Sequence, residues 1–111
     1  MDIEGTWDLA IATPIGRIRP VIELSREDGQ LTGIAHGLGE EVPLQDIALD
    51  GDTLTWKQAV TKPMRVNLAF TVAMDGDTLV GTSKAGRLPA SKVTGRRRGR
   101  DLPVTLKRTA R

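Results

Sequence analysis

The dipeptide Asp-Gly, which is typical of tight turns, occurs three times along this chain of 111 residues, each time followed by alternating apolar and polar residues. The three segments are residues 27–33, 50–56 and 75–81, which read EDGQLTG, DGDTLTW and DGDTLVG. Asp-Gly supplies the positive φ that a tight hairpin turn requires, and a period of two is typical of a strand with one buried face. The Asp-Gly pairs lie 22 and 25 residues apart, so each repeat corresponds to one hairpin and its return strand.

Reading outward from these turns, the period-two pattern predicts eight strands, and no window of eleven residues keeps the apolar stripe of a helix. The strands are placed near residues 5–13, 17–26, 30–37, 41–50, 53–61, 64–74, 77–85 and 88–98. The connections are short, so neighbours along the chain should pair in space. Closing such a meander removes the two unpaired edges that an open sheet would expose. The predicted fold is therefore all-β, an eight-stranded antiparallel up-and-down β-barrel.

Alternation also assigns the faces of the strands. The predicted inward residues are Trp7, Leu9, Ile11, Pro20, Ile22, Leu24, Leu31, Gly33, Ala35, Val42, Leu44, Leu54, Trp56, Gln58, Val66, Leu68, Phe70, Val72, Leu79, Gly81, Ser83, Ser91 and Val93. The fourth strand changes parity between Leu44 and Ile47. We interpret this change as a bulge near Gln45-Asp46 that bends the strand around a corner of the barrel.

The parity of the last strand places Arg97 on the inward face at the end of the barrel, where a charged side chain needs a partner. If the last strand pairs with the first, the partner is the face of Trp7. Such a cation–π stack contributes about 0.5–2 kcal/mol, depending on desolvation. We expect Trp7 and Arg97 to form the structural base of the barrel rather than a binding site.

The Gly5-Thr6-Trp7 motif together with an arginine on the last strand resembles the signature of the lipocalin and calycin superfamily. The wider layout, with TPIG at 13–16, VPLQD at 42–46 and VTGRR at 93–97, is similar to small bacterial proteins of undefined function. The likeness spans about residues 4–97. It implies a barrel that binds an apolar ligand. The barrel should be of avidin size, because the chain is short and no helix is predicted after the barrel. It implies no particular chemistry.

Length and composition set the domain organisation. We expect one barrel domain over residues 1–98 and a basic tail over residues 99–111. The chain has no cysteine, its amino terminus is acidic, and no apolar run approaches the roughly 18 residues of a membrane span. A cytoplasmic location is therefore expected.

Charge is divided unevenly along the chain. Residues 96–111 contain seven Arg or Lys and one Asp, whereas residues 1–95 contain nine basic and thirteen acidic residues. A basic tail can bind nucleic acid through phosphates, but single-strand binders add exposed aromatic side chains, and both tryptophans are predicted inside. We therefore do not expect a nucleic-acid partner. The segment 104–106 could instead pack on the barrel wall or on a second subunit, which suggests a homodimer.

The interior is the candidate ligand site. An eight-stranded barrel is just wide enough to be filled by side chains or to hold one small ligand. Small residues that face large ones are compatible with either outcome, but the polar residues Gln58, Ser83 and Ser91 favour a pocket, because a buried polar group needs a partner. The predicted ligand-binding residues are Trp56, Gln58, Val66, Phe70, Ser83 and Ser91.

Other candidate sites are weaker. His36 is the only histidine, which excludes multi-histidine metal sites, and its parity places it outside; a register shift of one residue would bring it to the mouth. The acidic turns at 50–52 and 75–77 lack the further oxygen ligands of a calcium loop. We expect no metal, no cofactor and no catalytic residues.

Three functions are compatible with these features. The leading hypothesis is the binding of a small, mostly apolar molecule inside the barrel. The first alternative is an isomerase or cyclase that uses the barrel as a chamber, which a buried carboxylate, lysine or His36 would favour. The second alternative is a protein-interaction module, with Val21, Ile34 and Val80 on an exposed apolar patch.

Overall fold

The computed structural model describes residues 3–13, 16–37, 39–61 and 65–98, and the regular structure in these ranges is β-strand throughout. The strands are β1 (Gly5–Thr13), β2 (Gly16–Ile18), β3 (Val21–Glu27), β4 (Gln30–Gly37), β5 (Glu40–Pro43), β6 (Gln45–Asp50), β7 (Thr53–Val60), β8 (Val66–Asp75), β9 (Thr78–Ala85) and β10 (Ser91–Arg97). Within the described ranges, no helix is long and apolar enough to cross a membrane. The basic tail at 99–111, including the segment 104–106, lies outside the described residues.

The ten strands form one antiparallel sheet in the order β5-β4-β3-β1-β10-β9-β8-β7-β6, and β2 pairs with β1 outside this path. The first and last strands lie side by side, with six residue pairs from Trp7–Arg97 to Ala12–Lys92. The two ends of the sheet, β5 and β6, are separated along the chain by Leu44 alone. The sheet therefore curls into a nearly closed barrel, as the alternation predicts.

Hydrogen bonds outside the regular strand pairing lie near the two ends of the sheet. The backbone N–H of Leu44 donates to the carbonyl of Gly33 over 2.9 Å and so continues the β4–β5 pairing. The Glu40 carboxylate accepts hydrogen bonds from the backbone N–H of Thr61 at 2.9 Å and from its hydroxyl at 2.7 Å. These bonds fasten the start of β5 to the residue that follows β7.

The structure has ten strands rather than the predicted eight because two predicted strands are each divided. The strand predicted at 17–26 breaks into β2 and β3 at Pro20, which has no N–H to donate, although its carbonyl accepts from the N–H of Leu9 at 2.9 Å. The strand predicted at 41–50 divides into β5, which pairs with β4, and β6, which pairs with β7. The predicted bulge is confirmed, because Asp46 has a φ of 52° and the register shifts between Gln45 and Ala48.

The last strand also begins later than predicted. β10 starts at Ser91 instead of residue 88, because a turn with Gly86 at a φ of 57° and the following Pro89 occupy the approach.

The three predicted Asp-Gly turns are confirmed and lie together at one end of the barrel, which we call the turn end. Their glycines, Gly29, Gly51 and Gly76, have φ values of 81°, 65° and 61°. The connections at 13–16, 37–40, 60–66 and 85–91 lie at the opposite end, which we call the loop end. Pro14 and Ile15, and residues 38 and 62–64, lie outside the described residues.

The core follows the predicted inward face. Fifteen of the buried apolar residues form one cluster, and Leu31, Ile47, Leu49 and Leu68 pack against it from partly buried positions. Ile3 and Met74, which were not predicted, are also fully inside. Neighbouring atoms occupy the space that a side chain would need at the glycines on this face. A methyl group on Gly81 would meet the backbone oxygen of Thr71 and lie 2.6 Å from the Cα of Val72. The glycines therefore serve close packing.

The Gly5-Thr6-Trp7 motif and Arg97 meet where β1 pairs with β10. The guanidinium carbon of Arg97 lies 5.0 Å from the centroid of the Trp7 ring, and the Trp7 indole N–H donates to the carbonyl of Ile3 at 3.0 Å. Gly5 has a φ of 133°, and a methyl group there would lie 3.0 Å from the Cδ of Arg97. The glycine is needed because the arginine stem crosses directly over it.

An ion pair on the outer surface joins Asp8 on β1 to Arg98, the residue that follows β10. Arg98 Nη2 lies 2.9 Å from Asp8 Oδ1, and Arg98 Nε donates to both carboxylate oxygens at 3.2 and 3.0 Å. The hydrogen bonds from Arg98 hold the pKa of Asp8 below its usual value of 3.8, although partial burial of the carboxylate opposes this shift.

We predict that Asp8→Asn destabilises the protein slightly at neutral pH and not at low pH. A lowered folded-state pKa stabilises the protein above the unfolded value of 3.8, and this contribution disappears as the pH falls through the folded value. Because both side chains are about half exposed, the urea midpoint at pH 7 should fall by about 0.5 M or less.

The control for this experiment is Asp28→Asn. Asp28 is an exposed turn residue with a φ of 52°, which asparagine also adopts. Urea unfolding at pH 7 and at a pH below 3 should show a difference at pH 7 only for the Asp8 variant. Equal loss at both pH values would show that the Asp8 carboxylate charge does not act through Arg98.

Candidate functional site

The predicted ligand-binding residues lie together on the inner face of the barrel. Trp56, Phe70, Ser83 and Ser91 form one continuous row across β7, β8, β9 and β10, because each is the direct cross-strand partner of the next. Gln58 lies one inward position nearer the loop end on β7. The predicted cluster is therefore contiguous, although its members come from four strands.

An aromatic stack forms one end of this row. The rings of Trp56 and Phe70 lie parallel within 9°, with centroids 4.6 Å apart. Both side chains are almost completely buried, at 1% and 2% exposure. The stack is part of the packed core and is held in place by its position across neighbouring strands.

Gln58 is buried beside this stack and is orientated by it. The Trp56 indole N–H donates to Gln58 Oε1 at 3.0 Å, which uses the acceptor end of the amide. Among the described residues, none accepts a hydrogen bond from the Gln58 side-chain N–H groups. The donor end of a buried amide is therefore open to a hydrogen-bond acceptor that the barrel wall does not supply.

The hydroxyls of the two serines at the other end of the row also have no hydrogen-bond partner in the described part of the chain. Ser83 is 4% exposed and Ser91 is partly buried. No side-chain hydrogen bond joins either hydroxyl to a residue in the described part of the chain. Together with Gln58, they place three uncommitted polar groups on one stretch of inner wall.

Val66 lies at the loop end of this surface. It pairs with Val60 at the start of β8 and is only partly buried. The inner surface thus runs from the buried Trp56–Phe70 stack toward a more accessible rim. Trp7 and Arg97 lie at the turn end, away from this cluster, and belong to the closing seam.

His36 lies outside the barrel, as its parity predicts, but it is not simply solvated. Its Nδ1 lies 3.2 Å from Glu41 Oε2, and its Nε2 lies 3.0 Å from Glu23 Oε2. Nε2 is buried and has no hydrogen-bond partner among the described residues, so its contact with Glu23 is one of proximity alone. The imidazole therefore connects carboxylates on β3 and β5 and does not reach the interior.

A cleft of about 500 Å³ lies on the outer wall of the barrel, across β1, β10 and β9. Sequence reasoning missed it, because a concave outer surface is not visible in strand parity. The residues that line it include Asp8, Ala10, Arg19, Thr78, Val80, Thr94 and Arg96. The described residues contain no group of three or more histidine and acidic side chains that could hold a metal ion.

The fold and the site define a class of protein, a nearly closed antiparallel β-barrel with uncommitted polar side chains inside one end. Comparison of the chain with protein-family models, with curated proteins and with solved structures finds no match in any of the three. The resemblance to the lipocalin and calycin superfamily therefore stays a prediction.

The hydrogen-bond pattern predicts opposite effects for two substitutions in the row. Gln58→Leu leaves the buried indole N–H of Trp56 without an acceptor and should lower the free energy of unfolding by about 1–3 kcal/mol. Ser83→Ala removes a hydroxyl that bonds to no described residue and should leave stability unchanged or slightly raised. Urea unfolding followed by circular dichroism measures both effects. A loss of more than about 1 kcal/mol in Ser83→Ala would show that its hydroxyl is bonded within the protein.

Proposed function

We propose that this protein binds a small, mostly apolar molecule inside the loop end of the barrel. We also propose that β2 with β3, and β5 with β6, each represent one bent strand of an eight-stranded up-and-down barrel of the lipocalin type. The support is that only two residues separate β2 from β3 and one residue separates β5 from β6. In this proposal the protein is a cytoplasmic carrier.

The observation that carries the proposal is the row of uncommitted donors beside the Trp56–Phe70 stack. The N–H groups of Gln58 and the hydroxyls of Ser83 and Ser91 bond to no described residue, and none of these atoms is sealed from solvent, since His36 Nε2 is the one fully buried side-chain polar atom without a partner in the described part of the chain. A ligand that covers these groups must therefore offer them a partner, because burying a hydroxyl or an amide without one costs free energy. A wall that is mostly apolar with a few convergent polar groups is the usual form of a small-molecule site. A ligand with a carbonyl oxygen would accept hydrogen bonds from up to two of these donors.

The chemistry of the row suggests the form of the ligand. Gln58 offers N–H groups, and its oxygen is already used by Trp56, so the complementary ligand group is an acceptor such as a carbonyl oxygen. The apolar body would lie on the stack and on Val66, where burial contributes about 25 cal/mol per Å². A ketone, ester or lactone with a compact hydrocarbon body fits this description.

The alternative functions receive less support. Turnover in the chamber would be favoured by a buried carboxylate, lysine or histidine, whereas the buried polar side chains of the described residues are Gln58 and Ser83. An interaction module would be favoured by a continuous apolar patch. Ile34 and Val80 are exposed at 43% and 55%, but they belong to β4 and β9, which are four positions apart in the sheet order.

Tryptophan fluorescence during ligand titration tests the proposal, because Trp56 lies in the site and Trp7 lies at the opposite end. We expect a saturable change with 2-nonanone or a similar ketone, and a weaker one with the matching alkane, nonane. Ser83→Ala should weaken ketone binding by about 3- to 10-fold, the value of one neutral hydrogen bond.

The matched control is Thr82→Ala, which removes a hydroxyl from the adjacent residue on the outer face of the same strand. This variant should bind the ketone as the wild type does. Absence of a saturable response to ketone, ester, lactone and alkane probes, together with a crystal structure whose loop end is filled by side chains, would contradict the proposal.

A further inference from the structure

The cleft on the outer wall combines two arginines that have no acidic partner. Arg19 and Arg96 both line it, and neither forms an ion pair with any residue in the described part of the chain. Their placement has a physical cause in each case. The break at Pro20 turns the proline ring inward against the core and leaves Arg19 exposed beside β1.

Arg96 has no acidic partner among the described residues because Arg98 binds the nearest carboxylate. It is directly opposite Asp8 in the pairing of β10 with β1, but the Asp8 carboxylate is bound by Arg98 through both of its oxygens. The charged residues that line the cleft, Asp8, Arg19 and Arg96, together carry a net charge of +1, and the Asp8 carboxylate is paired with Arg98 outside the lining. The cleft is therefore basic although it contains a carboxylate.

The floor of the cleft supplies one neutral donor, the Thr94 hydroxyl, and an apolar surface, whereas the Thr78 hydroxyl donates to the carbonyl of Asp75 at 3.0 Å. Thr78 lies directly across β9 and β10 from Arg96, and Thr94 lies directly across from Val80. Ala10 completes this second row on β1. Val80 is 55% exposed, so it offers a contact surface for an apolar group.

We propose that this cleft binds a small organic phosphate monoester. A phosphate monoester carries a charge of about −1.5 to −2 at pH 7, opposite in sign to the net charge of +1 of the cleft lining. Planar guanidinium groups bind phosphate oxygens in bidentate geometry, and the Thr94 hydroxyl can donate a further hydrogen bond. The volume of about 500 Å³ exceeds that of a phosphate group alone, so the organic part would lie on Val80 and Ala10.

The cleft is on the outer face of the barrel, so a negative result for phosphate binding would not contradict the proposed ligand site in the interior. Phenyl phosphate is the probe. Benzoate, which has the ring and a carboxylate, and phenol, which has the ring and no charge at pH 7, separate the contribution of the phosphate from that of the ring. We expect saturable binding of phenyl phosphate in NMR titrations, with shifts of the Thr78, Val80 and Thr94 amides. Arg19→Gln and Arg96→Gln should each weaken it by about 10-fold or more.

The matched controls are Arg26→Gln and Arg87→Gln, which remove the same charge from exposed positions outside the cleft. They should change the affinity by less than about 2-fold. Equal weakening by all four variants would show attraction to net charge alone and would overturn the proposal. So would the absence of saturation at up to about 10 mM phenyl phosphate.

A short DNA duplex provides the same phosphate chemistry from a second source. Binding of the duplex without binding of phenyl phosphate would overturn the small-molecule proposal and assign the wall to nucleic acid, with an affinity that falls steeply with salt. Binding of phenyl phosphate that the duplex does not displace would support the small-molecule site.

Discussion

The Arg97 side chain is the constraint on which the closed sheet depends. Only 7% of it is exposed, and its charge is compensated by the face of Trp7, by Asp77 Oδ1 at 2.8 Å and by the carbonyl of Glu4 at 3.0 Å. These partners come from β1, from the turn before β9 and from the segment before β1. A buried charge that loses its partners is costly, so separation of β10 from β1 or a slip of one residue is strongly disfavoured.

Closure at this seam determines what each end of the barrel can do. The turn end is occupied by the Trp7 indole and by Ile3, which leaves it a structural base. The loop end receives Gln58, Ser83 and Ser91; the Gln58 oxygen is bonded to Trp56, whereas its N–H groups and the two serine hydroxyls bond to no described residue. The same seam brings Arg96 and Arg98 beside Asp8 on the outside, so one register produces both the inner row and the outer cleft.

Local sequence signals predicted much of this arrangement. Asp-Gly turns and strict alternation identify the hairpins and the inward face, and parity alone places Arg97 opposite Trp7. The breaks at Pro20 and Leu44 were not predicted, because a change of partner strand is a tertiary event that leaves little trace in periodicity. Ile3 precedes the alternating pattern. The outer cleft was not predicted, because its charge depends on which of two arginines Asp8 binds. The ion pairs of His36 were not predicted either, because its partners Glu23 and Glu41 lie on two other strands.

Native-state amide hydrogen exchange, followed by NMR, tests closure of the barrel most directly. If β1 and β10 are joined in solution, their amides that are hydrogen-bonded across the seam are protected as strongly as those between β7 and β8 in the sheet interior. Exchange of the seam amides many-fold faster than those of β7 and β8, at the rate of edge strands, would show an open sheet. Such a result would contradict both the base formed by Trp7 and Arg97 and the enclosed row at the loop end.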